Sequence, residues 1–493
     1  MTDSGFQRDS RTTAAGKVVL VYPFTGIDVP RVSIFLPLSV LTIAAALEDD
    51  GFSVEVLDMR TERRWKQRLT AAVQGKPLFV GISAMTGKQI WWGLKAATAV
   101  RRADPGVPIV WGGTHASVLP DETLNHPLVD AVVKGEGRET ATVIAHRLAD
   151  GEDIRGGLFE APRPKSGVQA AGAVPLQLSE ICISDYLTPV VRDVRGLAMV
   201  TSRGCPHHCA YCYNKAVHQH CWTADPAETV IENFARLHDA GIRGAMVFDD
   251  NFFVSKKRVE AVAEGILSRN IALSIKADCR ADTLVRYSDE FLGLLRRAGF
   301  EMLYIGAESG SDRVLESVQK GVDVQTLLAA NAKLAAVGIR PHYSFMAGLP
   351  GETVDDMYKT VQLMRRLKKE HPGAYLSPVK AYVPYPGTPL YETAVQNGFV
   401  PPDTLEKWST YEWNNRPSLG LGKAEARYIE KMTYVTAGLD PAIVELSGIN
   451  QSRFTAWGFS RFSKRCQKRA ERPDLGNIPE MPIVRLVKRM VSS

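Results

Sequence analysis

Cysteine is scarce in this chain, seven in 493 residues, and no second Cys-x2-Cys pair accompanies the one at positions 209 and 212. Too few thiols are present at framework spacing to staple a small fold, so they read as ligands or bystanders in a reducing compartment. Long apolar runs are also missing. None approaches the roughly 18 residues that a membrane-spanning helix requires. The polar start MTDSGFQRDSRTTAAGK lacks the apolar stretch of a signal peptide, so a cytoplasmic protein with no membrane partner is expected. Charge of one sign is in short supply: 60 basic against 54 acidic residues leave a net charge of +6, much of it in RFSKRCQKRAER near the C-terminus. That stretch reads as a solvated tail, and with no helix-turn-helix pattern a nucleic-acid partner is not expected. What remains is the composition of a soluble globular protein, long enough for two or three domains.

Residues 17–150 alternate strand and helix signals: KVVLVYPF, then LPLSVLTIAAALEDDGF, SVEVLDM, PLFVGISAMTG, WWGLKAATAVRRADPG, PIVWGGTH and DAVVKGEGRETA. This alternation predicts an α/β fold with a Rossmann-like, doubly wound parallel sheet over 1–155, binding its ligand beyond the strand C-termini. There stand Ser83, Thr86, Gly113, Thr114 and Gly135, small residues that let a large ligand approach the backbone. Residues 156–190, rich in proline, glycine and small residues, read as a linker. Over 191–400, six strand candidates alternate with helical segments, which predicts a partial (β/α)6 barrel with its chemistry at the strand C-terminal mouth. Residues 401–493 are expected to form a mixed or helical extension.

GCPHHCAYC, residues 204–212, places Cys205, Cys209 and Cys212 in the loop after the first barrel strand. A [4Fe–4S] cluster has four irons, each wanting an external ligand, and four thiolates usually supply them. Three leave one iron open to chelate a substrate or cofactor, as catalytic metal sites keep a vacant position. The rival reading is structural zinc, with Cys221 or one of His207, His208, His218 and His220 as a fourth ligand. Cys182, Cys221, Cys279 and Cys466 lack close ligand spacing, and Cys279 is expected as a small buried residue.

With Tyr211 before the last cysteine and a strand before the loop, the motif resembles the signature of the radical SAM superfamily. The resemblance implies that the open iron binds the amino and carboxylate groups of S-adenosylmethionine. One electron from the reduced cluster then cleaves the sulfonium to methionine and a 5′-deoxyadenosyl radical, which abstracts a substrate hydrogen. It also extends to AESGSDRVL, where Glu308 and Ser309 match the segment meeting ribose and methionine, and to FMAGLPGET, which matches the segment beneath adenine. Asp250 or Glu308 would accept hydrogen bonds from ribose hydroxyls, and Arg280 would pair with the methionine carboxylate. Each acid could instead serve as a helix cap or surface pair.

The first domain resembles the cobalamin-binding domain that precedes this barrel in a large subgroup, on ISAMTG, WGGTHAS and VVKGEGRET. After the second strand, LDMRTERRW has no histidine, which excludes only a histidine-ligated cobalamin; loss of the cofactor is the alternative. Cobalamin-dependent C-methylation is the first reading, in natural-product biosynthesis. The others are cobalamin-independent dehydration of a diol in an aminoglycoside-type sugar and a cobalamin- or metal-based sensor. The partners implied are a small-molecule substrate and a flavodoxin or ferredoxin as reductant. A substrate with several amino groups would want acids and aromatic faces, which Asp249, Asp250, Glu308, Trp408, Tyr411 and Trp413 could supply, although such residues could equally be core and surface.

Overall fold

The computed structural model describes residues 16–163, 165–168, 182–191, 193–411, 422–440, 453–479 and 481. The polar N-terminus, part of the expected linker and Trp413 lie outside the described residues. The chain forms two compact units, one of residues 1–28, 37–163 and 402–411, the other of 29–36, 164–401 and 412–493. Among the described residues no helix is long and apolar enough to cross a membrane.

In the first unit, strands β1 (Lys17–Tyr22), β2 (Ser53–Asp58), β3 (Phe79–Ser83), β4 (Ile109–Gly112), β5 (Ala131–Lys134) and β6 (Gly157–Glu160) form one parallel sheet in the order 2-1-3-4-5-6. Helices α1 (Leu38–Asp49), α2 (Trp65–Gln74), α3 (Lys88–Ala103), α4 (Thr114–Val118), α5 (Pro120–Leu124) and α6 (Gly137–Ala149) connect them. The apolar run in β1 is buried because helices cover both faces, and Val18 and Leu20 pack with Leu47, Phe79 and Ile144. Strand order reverses between β1 and β3, which opens the crevice where such sheets take ligands. Residues 402–411, assigned by sequence to the C-terminal extension, pack in this unit. A helical turn at Leu405–Trp408 buries Leu405 and Trp408, and the Trp408 ring meets His115 edge-on at 5.7 Å. Trp408 and Tyr411, offered above as aromatic faces for substrate, are therefore core residues. Their buried rings are T-shaped to one another at 4.9 Å.

The second unit opens with β7 (Gly167–Val168), β8 (Thr188–Val191), β9 (Val194–Met199) and β10 (Ser202–Arg203), then α7 (Asn214–His218) and β11 (Thr223–Ala224). Repeats follow: α8 (Ala227–Asp239), β12 (Gly244–Val247), α9 (Lys256–Ser268), β13 (Ser274–Cys279), α10 (Ala281–Arg286), α11 (Asp289–Arg297), β14 (Phe300–Glu308), α12 (Asp312–Ser317), α13 (Val324–Val337), β15 (Arg340–Ala347) and α14 (Val354–Glu370). Short strands β16 (Tyr375–Leu376) and β17 (Lys380–Ala381), then α15 (Pro389–Gln396), α16 (Lys423–Ala437) and α17 (Arg453–Arg469), complete it. The main sheet runs β16-β15-β14-β13-β12-β9-β8, parallel except for β8, an open curled half-barrel. Two details differ from the sequence expectation. The sixth strand shrinks to two-residue pieces because Pro378, Pro384 and Pro386 cannot donate to a ladder. An antiparallel strand, β8, covers the opposite edge. The basic stretch at 461–472 begins on α17, whose Cys466 is buried, so it is not wholly a solvated tail.

Candidate functional site

The loop carrying the three cysteines leaves the half-barrel at the C-terminal end of β9 and is bracketed by a small sheet. β10 pairs antiparallel with β11, and β11 pairs with β7, so residues 204–222 begin and end on one ribbon. Gly204 starts the loop at φ 79°, and a Cβ there would fall 1.8 Å from the Cys221 carbonyl oxygen. Only glycine fits that approach. The middle is pinned by its backbone: Ala210 N–H donates to Val318 O (2.9 Å), and its carbonyl accepts from Leu390 N–H (3.0 Å). Cys212 N–H donates to Cys209 O at 3.1 Å, closing a tight turn between two of the thiols.

Consecutive acids after β12 fasten the approach to this loop. Asp249 is buried and accepts from Thr201 N–H, Thr201 Oγ1 and Ser202 Oγ, all at 2.6 Å. Burial raises its pKa, and these bonds and the Arg258 guanidinium oppose the rise. Asp250 accepts from Gly204 N–H at 2.7 Å, and its charge acts on the Tyr213 hydroxyl, raising that pKa. The ribose role expected for Asp250 thus competes with holding the start of the cysteine segment.

Glu308 ends β14 at a register shift, with φ 63°, a left-handed conformation rare outside glycine. Its Oε1 accepts from Tyr211 Oη (2.9 Å) and Lys320 Nζ (2.9 Å), and Lys320 Nζ also donates to Tyr211 Oη at 2.7 Å. Gly306 leaves room for this carboxylate, since a Cβ there would sit 2.1 Å from Oε1. Arg280 directs Nε to Asp282 (2.9 Å), Nη2 to Lys320 O (2.5 Å) and Nη1 to Cys209 Sγ (3.4 Å). It stands beside a thiol as a cation suited to a thiolate, not as a free partner for a carboxylate.

Cys205, Cys209 and Cys212 are free and half-buried. Burial raises the Cys205 thiol and pushes Cys212 up to about 12. Thiols so placed ionise when a metal takes the proton's place, and three on one loop, one beside a guanidinium, fit an iron–sulfur cube with one thiolate per iron. The zinc reading fares differently. Among the described residues no three His, Cys, Asp or Glu side chains could hold one metal ion. His208 Nδ1 lies 3.3 Å from His220 Nε2, and His220 Nδ1 lies 3.0 Å from His207 O, so two of the candidate histidines are engaged with each other.

The structure therefore brings Cys205, Cys209, Cys212, Tyr211, Asp250, Arg280 and Glu308 together and leaves Ser309 apart. The Ser309 side chain is wholly buried, 3.3 Å from Thr360 Oγ1, and accepts from Ser311 N–H. Cys279 is buried, as expected.

In the first unit, the strand-end residues do share one edge. Ser83 Oγ lies 3.3 Å from Ser39 Oγ, Thr86 Oγ1 lies 3.0 Å from His115 Nδ1, and Gly135 N–H donates to Ser117 Oγ. Gly113, at φ 92°, precedes Thr114 at the start of α4, and a Cβ on it would sit 2.7 Å from Ala84 O. Small and hydroxyl side chains on loops with positive-φ glycines fit a large planar ligand. His115 is buried, its pKa lowered to about 4 by that burial, and among the described residues its Nε2 has no hydrogen-bond partner. Sequence reading missed Gln89, which accepts from Met85 N–H (2.7 Å) and donates to Pro23 O (3.3 Å), tying the β3 and β1 loops across the switch point. A polar residue in the first turn after a strand-end glycine was its only signal.

Comparison with known proteins matches residues 199–364 to the Radical SAM superfamily and residues 27–145 to the B12 binding domain. An uncharacterized methyltransferase of Pyrococcus horikoshii is 27% identical, over 87% of this chain and 94% of its own length. The cytidylyl-2-hydroxyethylphosphonate methyltransferase of Streptomyces wedmorensis is 25% identical, over 84% of this chain and 89% of its own. Among solved structures, the radical S-adenosylmethionine methyltransferase TsrM of Kitasatospora setae, with cobalamin and a [4Fe–4S] cluster bound, superposes with a TM-score of 0.67. It is 19% identical, covers 92% of this chain and 99% of its own, and carries the same fold.

Proposed function

Because the chain is a radical SAM enzyme with a B12-binding domain, we propose that it is a cobalamin-dependent C-methyltransferase acting on a small molecule. The observation that carries this reading is the pairing of the two matched domains in one chain, together with full-length relatives that are methyltransferases. Dehydration and sensing find no support among these relatives.

Cys205, Cys209 and Cys212 are assigned to a [4Fe–4S] cluster, with its fourth iron left for the amino and carboxylate groups of S-adenosylmethionine. Bound there, the cluster would supply the electron for cleaving S-adenosylmethionine, and cobalamin, which Ser83, Thr86, Gly113, Thr114 and Gly135 would hold, would supply a transferable methyl group. The chain's own residues position and shield. Arg280 stabilises the Cys209 thiolate through Nη1, and Asp250 holds the start of the loop at Gly204. Glu308 and Lys320 fix Tyr211, and with it the turn between Cys209 and Cys212. Glu308 Oε2 takes no part in that clamp and is the acceptor assigned to ribose. Glu352, whose pKa burial raises to about 7, accepts from Gly348 and Leu349 N–H and shapes the turn expected under adenine.

Anaerobic purification after supplementation with iron and cobalamin tests the assignment by visible spectrum. The expected spectrum combines a broad iron–sulfur shoulder with corrinoid bands at close to one equivalent of each. A cluster without corrinoid would overturn the methyltransferase reading, and absence of both would overturn the cofactor assignment altogether.

A further inference from the structure

The concave face of the half-barrel is layered. Alternation along β13 turns Ile275, Ala277 and Cys279 into the buried apolar layer and leaves Lys276 and Asp278 half-buried on the opposite face. Met246 and Met302 flank Lys276 in register and, with Val190 and Val191, make an apolar floor. One step nearer the strand C-termini, Asp278 stands in register with Tyr304, and Tyr304 with His342. Lys276 Nζ lies 3.3 Å from His342 Nδ1, and His342 Nε2 lies 2.9 Å from Ser377 Oγ. The cysteine loop rises from the next level of the same sheet.

Asp278 is the unsatisfied member of this wall. Among the described residues no donor hydrogen-bonds to its carboxylate, whereas Asp249 and Asp250 close by are held by loop donors. The ammonium on its own strand, Lys276, is turned to His342. A half-buried carboxylate near two other acids favours a cation arriving from outside. Aromatic surface is adjacent: the Tyr304 ring is the register neighbour, and Phe248, directly after β12, keeps 39% of its surface exposed. A wall of Lys, Asp, Tyr and His is a poor match for a hydrocarbon substrate, which would leave these groups desolvated and unpaired.

We propose that this wall is the substrate subsite, and that it takes a polar small molecule presenting a primary or secondary ammonium to Asp278, with its carbon skeleton on the Met246–Met302 floor. This rests on the enzymatic reading above. Burial, with Asp249 and Asp250 near, pushes the Asp278 carboxyl up to about 7 against the pull of Lys276, so the free site is poised to ionise as the cation enters. Of the groups facing it, burial lowers Lys276 and raises Asp249, so the Asp278→Asn variant is what assigns a pH slope to Asp278. Burial and Lys276 keep His342 neutral by lowering it, burial pushes Tyr304 up to about 12, and Asp250 and burial raise Tyr213 higher still.

The test is calorimetric titration of the anaerobically reconstituted holoenzyme, without reductant, with matched probes: glucosamine against glucose, and cyclohexylamine against cyclohexanol. The amine of at least one pair is expected to bind about tenfold more tightly than its alcohol, a discrimination of the size a single charged contact gives. For cyclohexylamine, whose ammonium stays protonated across this range, the preference should rise with pH through about 7; in either pair it should follow Asp278→Glu and vanish, with any pH slope, in Asp278→Asn. Equal binding of amine and alcohol in both pairs, or an Asp278→Asn variant that keeps the preference, overturns the proposal. If Asp278→Asn does not fold, the wild-type preference and its pH slope decide. Failure of the enzymatic reading would register separately, as no 5′-deoxyadenosine from wild-type protein with reductant, a reaction the titration does not involve.

Discussion

Cys209→Ala is expected to abolish reductive cleavage of S-adenosylmethionine, with 5′-deoxyadenosine formation falling by at least about a hundredfold, beyond the 10- to 100-fold typical of losing an outer-shell partner. A cube bound by two thiolates has two exposed irons and is readily lost or rebuilt with other ligands. The substitution also takes the sulfur acceptor from Arg280 Nη1, 3.4 Å away, while Arg280 Nε keeps its bond to Asp282. Stability should change little, because the side chain is half-buried and the turn is held by backbone bonds at Ala210 and Cys212. Chromatographic quantification of 5′-deoxyadenosine after anaerobic reconstitution checks this, with Cys205→Ala and Cys212→Ala alongside. A variant retaining near-wild-type formation would remove that thiol from the assigned ligand set.

Asp249→Ala is expected to produce the largest loss of stability of any single change near the site. It deletes the acceptor for Thr201 N–H, Thr201 Oγ1 and Ser202 Oγ, all three in buried residues. It also removes from buried Arg258 a carboxylate that opposes the lowering of its pKa by burial, although Arg258 keeps Asp225 O at 2.7 Å and Thr201 O at 2.8 Å. Removing one partner of a buried charged network costs about 3–5 kcal/mol, and each orphaned donor adds to that. For a unit of this size the expected fall in melting temperature is on the order of 10 °C. Differential scanning calorimetry of the apoprotein measures it, and a fall of only a degree or two would mean that Thr201 and Ser202 find other acceptors.

Much of this architecture was legible in the sequence because it is local. Apolar β-branched runs such as KVVLVY alternating with helical stretches specify parallel sheets, and three thiols in eight residues after a strand mark the loop proposed to hold the cluster. What escaped is long-range. The pairing of Gly167–Val168 with Thr223–Ala224, which brackets the cysteine loop, joins two-residue strands too short to leave a periodic signal. Trp408 stands in an aromatic, polar stretch whose sequence leaves core and substrate face both open, and it is core against His115, because burial of a helical turn depends on what it meets. Glu308 was legible as a site residue, but its clamp on Tyr211 needs Lys320, which arrives from beyond α12. Asp278 lies in the segment IKADCRAD, yet nothing in that segment tells that the strand turns it to the concave face while Cys279 turns to the core.

The proposed function stands on three thiolates that leave one iron open for S-adenosylmethionine. Electron paramagnetic resonance of the anaerobically reconstituted, dithionite-reduced wild-type protein, recorded before and after adding S-adenosylmethionine, tests it most directly. The account predicts a single reduced [4Fe–4S] signal whose g-values shift on addition, because the amino and carboxylate groups become ligands of the fourth iron. A signal that stays the same at saturating S-adenosylmethionine would contradict it.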